Sequence, residues 1–141
     1  MADSTGKRLI LVSNRLPFQL LETNGRVTLK QSDGGLVTAL KGYFEQPDNA
    51  NRFSEKIWVG SGDFPEKRWH KYLQNPEPQS FKIDALFVNP KSYNKYYNGF
   101  CNATLWPLFH YFPSYVVYDE SFFEEYEKVN QVFANHLLKL I

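Results

Sequence analysis

The sequence predicts an α/β domain built on a doubly wound open sheet, and three observations predict it. Short apolar runs rich in branched residues, "RLILVS", "KIWVGSG" and "SFKIDALFVN", alternate with amphipathic stretches of helical period. The first two runs close on loop-forming residues, in "SNRLP" and "GSGDFP". No repeat or low-complexity tract interrupts the alternation. Strands that alternate with helices imply a parallel sheet, which takes its ligands at the carboxyl ends of its strands.

Residues 8 to 13 form a continuous apolar run that ends in a loop, the pattern of a strand buried on both faces. In "PFQLLETNGRVTLKQ", Asn24 and Gly25 separate two alternating stretches. Asn-Gly supplies the positive backbone angles of a tight turn, so a β-hairpin is expected over residues 18–31. "SDGGLVTALKGYFEQ" predicts a helix that begins near Gly35, is capped by Ser32 or Asp33, and carries Leu36, Leu40, Tyr43 and Phe44 on one face. The polar, turn-rich "DNANRFSE" leads into a second buried strand in "KIWVGSG". Pro65 and Glu66 open a short helix over "PEKRWHKYLQN". Residues 80–89 supply a third strand. Residues 96–111, "YYNGFCNATLWPLFHY", read as loop and short helix stopped near Pro107, with Phe100, Leu105, Leu108 and Phe109 in the core. Ser121 and Glu124 form a capping box before a helix whose apolar stripe is Phe122, Tyr126, Val129, Phe133, Leu137 and Leu140. That helix runs into "LLKLI" with no stop signal after about three strands, so the chain is expected to be the front part of a longer protein.

Composition narrows the partners. The 141 residues suit one domain, and 43% hydrophobic with 22% charged residues is an ordinary globular balance. Sixteen basic against fifteen acidic side chains give a formal charge of +1, with no like-charge block to track a phosphate backbone, so nucleic acid is not an expected partner. The amino terminus holds an apolar run of about five residues, too short for a secretory core or a membrane span. The single cysteine, Cys101, leaves no internal disulfide framework and fits a reducing compartment, so a cytoplasmic location is expected. There is no zinc-spaced Cys/His cluster, H-E-x-x-H, G-x-S-x-G or calcium loop, and His70, His110 and His136 are scattered. No metal and no cofactor are expected.

Five positions could carry chemistry. Arg15, just past the first strand, stands where an open sheet places a ligand, and its planar fork suits a phosphate; a plain surface arginine is the other reading. Gly34 and Gly35 would leave backbone amides unobstructed at a helix start, which favours an anion, although loop flexibility also accounts for a glycine pair. Neither G-x-G-x-x-G nor G-x-x-x-x-G-K-[ST] is present. Aromatic residues reach 17%, and rings that fill cores also stack on sugars. Tyr97 and Trp106 are nine residues apart, and a chain that turns between them brings a phenol and an indole to one cleft wall, each with a flat face and one polar hydrogen for a pyranose; both could equally join the core. His110 fits a core or loop histidine, and Asn98 and Asn102 fit side chains that bond backbone. The acidic residues from 119 to 127 fit a helix start.

Taken in order, "LVSNRLP", "SDGGLVTAL", "WVG", "YYNGFCNATLWPLFHY" and "YEKVNQVFA" resemble the amino-terminal part of the trehalose-6-phosphate synthase family of retaining glycosyltransferases, from residue 8 through essentially the whole chain. The resemblance implies that residues 1–141 are the acceptor-side, Rossmann-like N-terminal domain of a GT-B glycosyltransferase, incomplete here, with the second, nucleotide-sugar domain outside this chain. It implies transfer of glucose from a nucleotide sugar, usually UDP-glucose, to glucose 6-phosphate, giving trehalose 6-phosphate with retention and without a metal. Carried over by position, Arg15 and Tyr97 face the acceptor's phosphate, Trp106 its sugar, and Gly35, beside Gly34, the donor's diphosphate. Front-face attack, in which the donor's leaving phosphate helps to take the acceptor proton, needs no protein nucleophile. Catalysis then rests on positioning and on stabilising leaving-group charge, so no catalytic residue is expected in this segment. The implied partners are UDP-glucose and glucose 6-phosphate, with no membrane and with a homo-oligomer left open.

The chain departs from the family in two places. The family commonly has a second tryptophan in a "W-x-G-W" element that lines the acceptor pocket, where this chain reads "WVGSG" with Ser61 at that place. The family's "HDYHL" element and the basic pair of its second domain would fall beyond Ile141, so this segment alone is not expected to catalyse. The alternative is a non-catalytic, synthase-like regulatory or scaffolding domain attached to a trehalose-phosphate phosphatase. Ser61 favours that alternative, and Arg15, Tyr97 and Trp106 favour the enzyme.

Overall fold

A computed structural model describes residues 6–32, 34–50 and 52–141, except for the side chains of 36, 49 and 50. The chain forms two units, Met1–Phe87 and Val88–Ile141. The first runs β1 (Arg8–Arg15), β2 (Phe18–Thr23), β3 (Arg26–Gln31), α1 (Gly35–Glu45), α2 (Pro47–Ala50), β4 (Glu55–Ser61), α3 (Glu66–Leu73) and β5 (Lys82–Leu86).

β4 lies between β1 and β5 and parallel to both, with Leu11 opposite Trp58 and Trp58 opposite Ile83. The expected α/β class with a parallel sheet is what the chain adopts. Its central place leaves Ile57, Trp58 and Val59 all but fully buried, as a strand covered on both faces must be. The apolar run of β1 does not have that environment. Among the described residues β1 has a neighbour on one side only, and Val12 is 46% exposed. β5 is shorter than the expected 80–89, because Phe81 joins the core ahead of the ladder and Asn89 caps the next helix.

On one face of the sheet the aromatic excess becomes core. Phe44 of α1 stacks on Trp58 at 5.9 Å, and Phe81 lies 5.1 Å from Phe44, with Phe18 and Leu16 closing the cluster. Each such ring contributes about 1.5–3 kcal/mol by leaving water. The hairpin forms at the expected place, with Thr23 paired to Arg26 and both Asn24 (φ 51°) and Gly25 (φ 78°) in the positive region, as a two-residue turn between twisted strands requires. Its Leu20 and Val27 are buried against Trp69 and Tyr72 of α3, whose rings stack at 5.3 Å.

α1 begins at Gly35 as expected, but Ser32 does not cap it. The N-cap is Gly34, which has no side chain to bond. Asp33 and the side chain of Leu36 lie outside the described residues. Phe44 turns into the core while Tyr43 stays exposed, so the apolar face is narrower than its sequence. The polar stretch after it contains α2, a single turn opened by Pro47.

The second unit is helical: α4 (Pro90–Asn94), a π-helical run (Lys95–Leu105), α5 (Trp106–Phe109), a 3-10 turn (Pro113–Tyr115) and α6 (Glu120–Leu138). The loop expected at the start of residues 96–111 is therefore helix, and that helix ends at Phe109, two residues past Pro107. Pro107 sits in the first turn of α5, where no N–H is required. The Ala103 carbonyl accepts from the Val117 N–H at 2.8 Å. Thr104 Oγ1 donates to the Val117 carbonyl at 2.6 Å. The two bonds tie the segment after α5 back onto the π-helical run. Leu108 and Phe109, expected in the core, are exposed, whereas Phe100 packs 4.7 Å from Tyr126 of α6.

α6 carries the expected stripe, with Val129 fully buried and Phe122, Tyr126, Phe133 and Leu137 half-buried; Leu140 lies past its end. Its cap is Asp119 rather than Ser121. The Asp119 carboxylate accepts from the Ser121 N–H at 2.9 Å and from its hydroxyl at 2.7 Å, and these bonds hold the Asp119 pKa below the usual carboxylate range. α6 packs on the π-helical run at Gly99, where a Cβ would stand 2.7 Å from the Phe122 ring.

Candidate functional site

Arg15 stands at the carboxyl end of β1, on a backbone irregularity. Ser13 pairs with Gly60 and Arg15 with Ser61, so the register shifts and Asn14 bulges out. Only glycine allows β4 to run this close. A Cβ on Gly60 would lie 2.9 Å from the Leu16 nitrogen and 3.0 Å from the Arg15 carbonyl carbon. The guanidinium reaches solvent and pairs with Asp63, Nη1 to Oδ2 at 3.9 Å, with the two side chains 45% and 77% exposed. Such a pair is worth little and is readily exchanged for a stronger anion.

Gly34 and Gly35 open α1 and are exposed. Gly34 has φ 163°, ordinary extended backbone, and a Cβ on Gly35 would meet nothing within 4 Å. Neither glycine is therefore demanded by the packing of the described residues. The first turn of α1 carries no acidic side chain to compete with a bound anion.

Tyr97 lies within the π-helical run, and Trp106 follows it directly as the first residue of α5. The Trp106 N–H donates to the Cys101 carbonyl, five residues back. In an α-helix nine residues make about two and a half turns and set two side chains on opposite sides. The run is π-helical, so that α-helical rule does not apply between Tyr97 and Trp106. Tyr97 stacks on Tyr93 at 5.7 Å. Trp106 is 55% exposed, and His110 covers one face of its indole at 4.0 Å. His110 Nδ1 contacts the Trp106 carbonyl at 2.8 Å, so it is this nitrogen that carries the proton. The histidine thus supports the indole, which stays more than half exposed.

Other groups fall to structure rather than chemistry. Burial pushes the Tyr96 phenol up to about 12 and raises the Cys101 thiol, so neither is an ionised nucleophile at neutral pH. Asn98, expected to bond backbone, donates instead to the Asn94 side chain at 2.7 Å. No cluster of three metal-ligating side chains exists among the described residues, and no described helix is long and apolar enough to cross a membrane. Arg15, Gly34 and Gly35 belong to the first unit, and Tyr97 and Trp106 to the second. A cavity of about 490 Å³ in the first unit, lined by Trp69, Tyr72 and Phe81, opens at the amino ends of β4 and β5 and touches none of the five. Sequence reasoning missed Asp63 as the partner of Arg15 and His110 as the support of Trp106. The spacing of four between Trp106 and His110 on a helix was the available signal for the second.

The profile of Glycosyltransferase family 20 matches residues 7–141. An alpha,alpha-trehalose-phosphate synthase [UDP-forming] A of Dictyostelium discoideum is 37% identical over 136 residues, 95% of this chain and 17% of its own length. The crystal structure of an alpha,alpha-trehalose-phosphate synthase (UDP-forming) from Burkholderia vietnamiensis is similar with a TM-score of 0.62 at 26% identity, over 96% of this chain and 25% of that one. A trehalose-6-phosphate structure from E. coli bound with UDP-2-fluoro glucose is similar with a TM-score of 0.63 at 26% identity, again over 96% of this chain and 25% of that one. The chain spans a quarter or less of the length of these proteins.

Proposed function

The chain belongs to glycosyltransferase family 20, and from that membership we propose that the full-length protein transfers glucose from UDP-glucose to glucose 6-phosphate, forming trehalose 6-phosphate and UDP with retention. Residues 1–141 form its N-terminal, acceptor-side domain, in the cytoplasm. Arg15 holds the acceptor's phosphate through two parallel hydrogen bonds and releases Asp63 as it does so. By its place in the family pattern, Tyr97 contributes a phenolic hydrogen bond to an acceptor phosphate, and the indole of Trp106, 55% exposed, offers a face to a glucose ring. The amides at Gly34 and Gly35 receive the donor's diphosphate, whose departure they favour by holding its charge. The segment supplies no nucleophile. Its contribution is to hold the acceptor hydroxyl against the donor's anomeric carbon.

The observation that supports this reading most is the exposed Arg15 guanidinium on a backbone bulge at the carboxyl end of the sheet, where an open α/β sheet binds its ligand. The test is to incubate the full-length protein with UDP-glucose and glucose 6-phosphate and follow both products. Stoichiometric UDP and trehalose 6-phosphate are expected. Binding of glucose 6-phosphate without product would instead favour a regulatory, synthase-like role, and release of UDP without trehalose 6-phosphate would exclude this acceptor.

A further inference from the structure

Ser61 ends β4 with its side chain turned inward and only 5% of the residue exposed. Its hydroxyl donates to the Asn14 carbonyl at 2.5 Å, and its own carbonyl accepts from the Leu16 N–H at 2.9 Å. One residue thus grips the chain on both sides of Arg15. The bulge makes this grip necessary, because the register shift removes Asn14 from the β1–β4 ladder and turns its carbonyl away from a regular partner. A second chain of bonds reaches the same loop from below. Trp58 Nε1 donates to Ser13 Oγ at 2.9 Å, and that hydroxyl donates to the Arg15 carbonyl at 2.6 Å. Gly60 lets the strands approach so closely that the loop cannot settle further onto β4.

We infer that Ser61 is a positioning residue for Arg15: its hydroxyl locks the Asn14–Leu16 bulge so that the guanidinium is already aimed when a sugar phosphate arrives. Arg15 is a long side chain, 45% exposed, and a fixed backbone root is what limits the entropy it loses on binding. The inference rests on the reading of Arg15 proposed above, and it predicts that the effect of Ser61 falls on the phosphorylated acceptor and spares the donor.

The experiment uses the full-length protein and two variants, Ser61→Ala, which removes the hydroxyl, and Ser61→Thr, which keeps it. Hydrogen exchange at the Leu16 amide is read beside the two Michaelis constants. Ser61→Ala is expected to speed Leu16 exchange and to raise KM for glucose 6-phosphate about tenfold, the effect of one buried hydrogen bond, with kcat and KM for UDP-glucose little changed. Ser61→Thr is expected to restore both. Unchanged Leu16 exchange in Ser61→Ala overturns the lock, whatever the activity. Faster exchange with an unchanged KM for glucose 6-phosphate overturns the positioning role. If the wild-type protein makes no trehalose 6-phosphate, the proposed function falls by that result alone, and the lock is decided by the exchange rates.

Discussion

Replacing Arg15 with alanine should weaken the acceptor and leave the donor alone. Two charge-assisted bonds to a phosphate contribute about 1.5–3 kcal/mol each in favourable settings. The guanidinium is 45% exposed, which puts each bond at or below the lower end, and giving up Asp63 costs at most about 1 kcal/mol. A net loss of about 2–3 kcal/mol follows, or a rise of roughly 30- to 150-fold in KM for glucose 6-phosphate. Arg15→Lys keeps the charge and loses the fork, so its effect should fall between wild type and Arg15→Ala. Asp63→Asn removes the competing carboxylate, and because Asp63 is 77% exposed the gain is small, about a twofold fall in the same constant. Initial rates with glucose 6-phosphate varied at saturating UDP-glucose, and then the reverse, separate the two sites. Equal losses for both substrates, or an unchanged acceptor constant in a variant with wild-type Tm, would refute the role of this arginine.

Gly99→Ala should lower stability by about 1–3 kcal/mol, the usual cost of overpacking, since its Cβ would stand 2.7 Å from the Phe122 ring; a Tm equal to wild type would show that α6 yields without cost. Thr104→Val leaves the Val117 carbonyl without the hydroxyl that bonds it at 2.6 Å and should cost about 1–3 kcal/mol, measured by denaturant unfolding. The Tyr96 phenol, pushed up to about 12 by burial, should titrate well above the ordinary tyrosine range by ultraviolet absorbance. Because its folded pKa lies above the unfolded value near 10, its stabilising effect is complete below pH 10 and is lost between pH 10 and 12. Tyr96→Phe should flatten the stability profile in that window, and a profile of wild-type slope would contradict the assignment.

Elements governed by local chemistry were legible in the sequence. Asn24-Gly25 specified the hairpin turn because few other pairs accept two positive φ angles, and the stripe of α6 showed its buried side directly. What depended on distant neighbours was not. The run in β1 resembles that of β4, and only the order of strands makes one central and the other lateral. Pro107 reads as a stop, yet it sits in the first turn of α5, and the bond that returns the following segment to the helix comes from Val117, fourteen positions from Ala103. Asp119 took the cap from Ser121 because its carboxylate reaches both the amide and the hydroxyl of that serine. Arg15, Tyr97 and Trp106 could be named from the motifs they occupy, whereas the bulge beneath Arg15 and the π winding between Tyr97 and Trp106 are backbone features with no signature of their own.

The lateral place of β1 has a consequence for the architecture. In doubly wound sheets the strands laid down first advance to one side, and later ones are added on the far flank of the opening strand, so the strand order reverses there and a crevice opens above its carboxyl tip. The order β1-β4-β5 is one such advance. A further parallel strand on the flank of β1 that has no neighbour among the described residues would bring the reversal directly over the arginine.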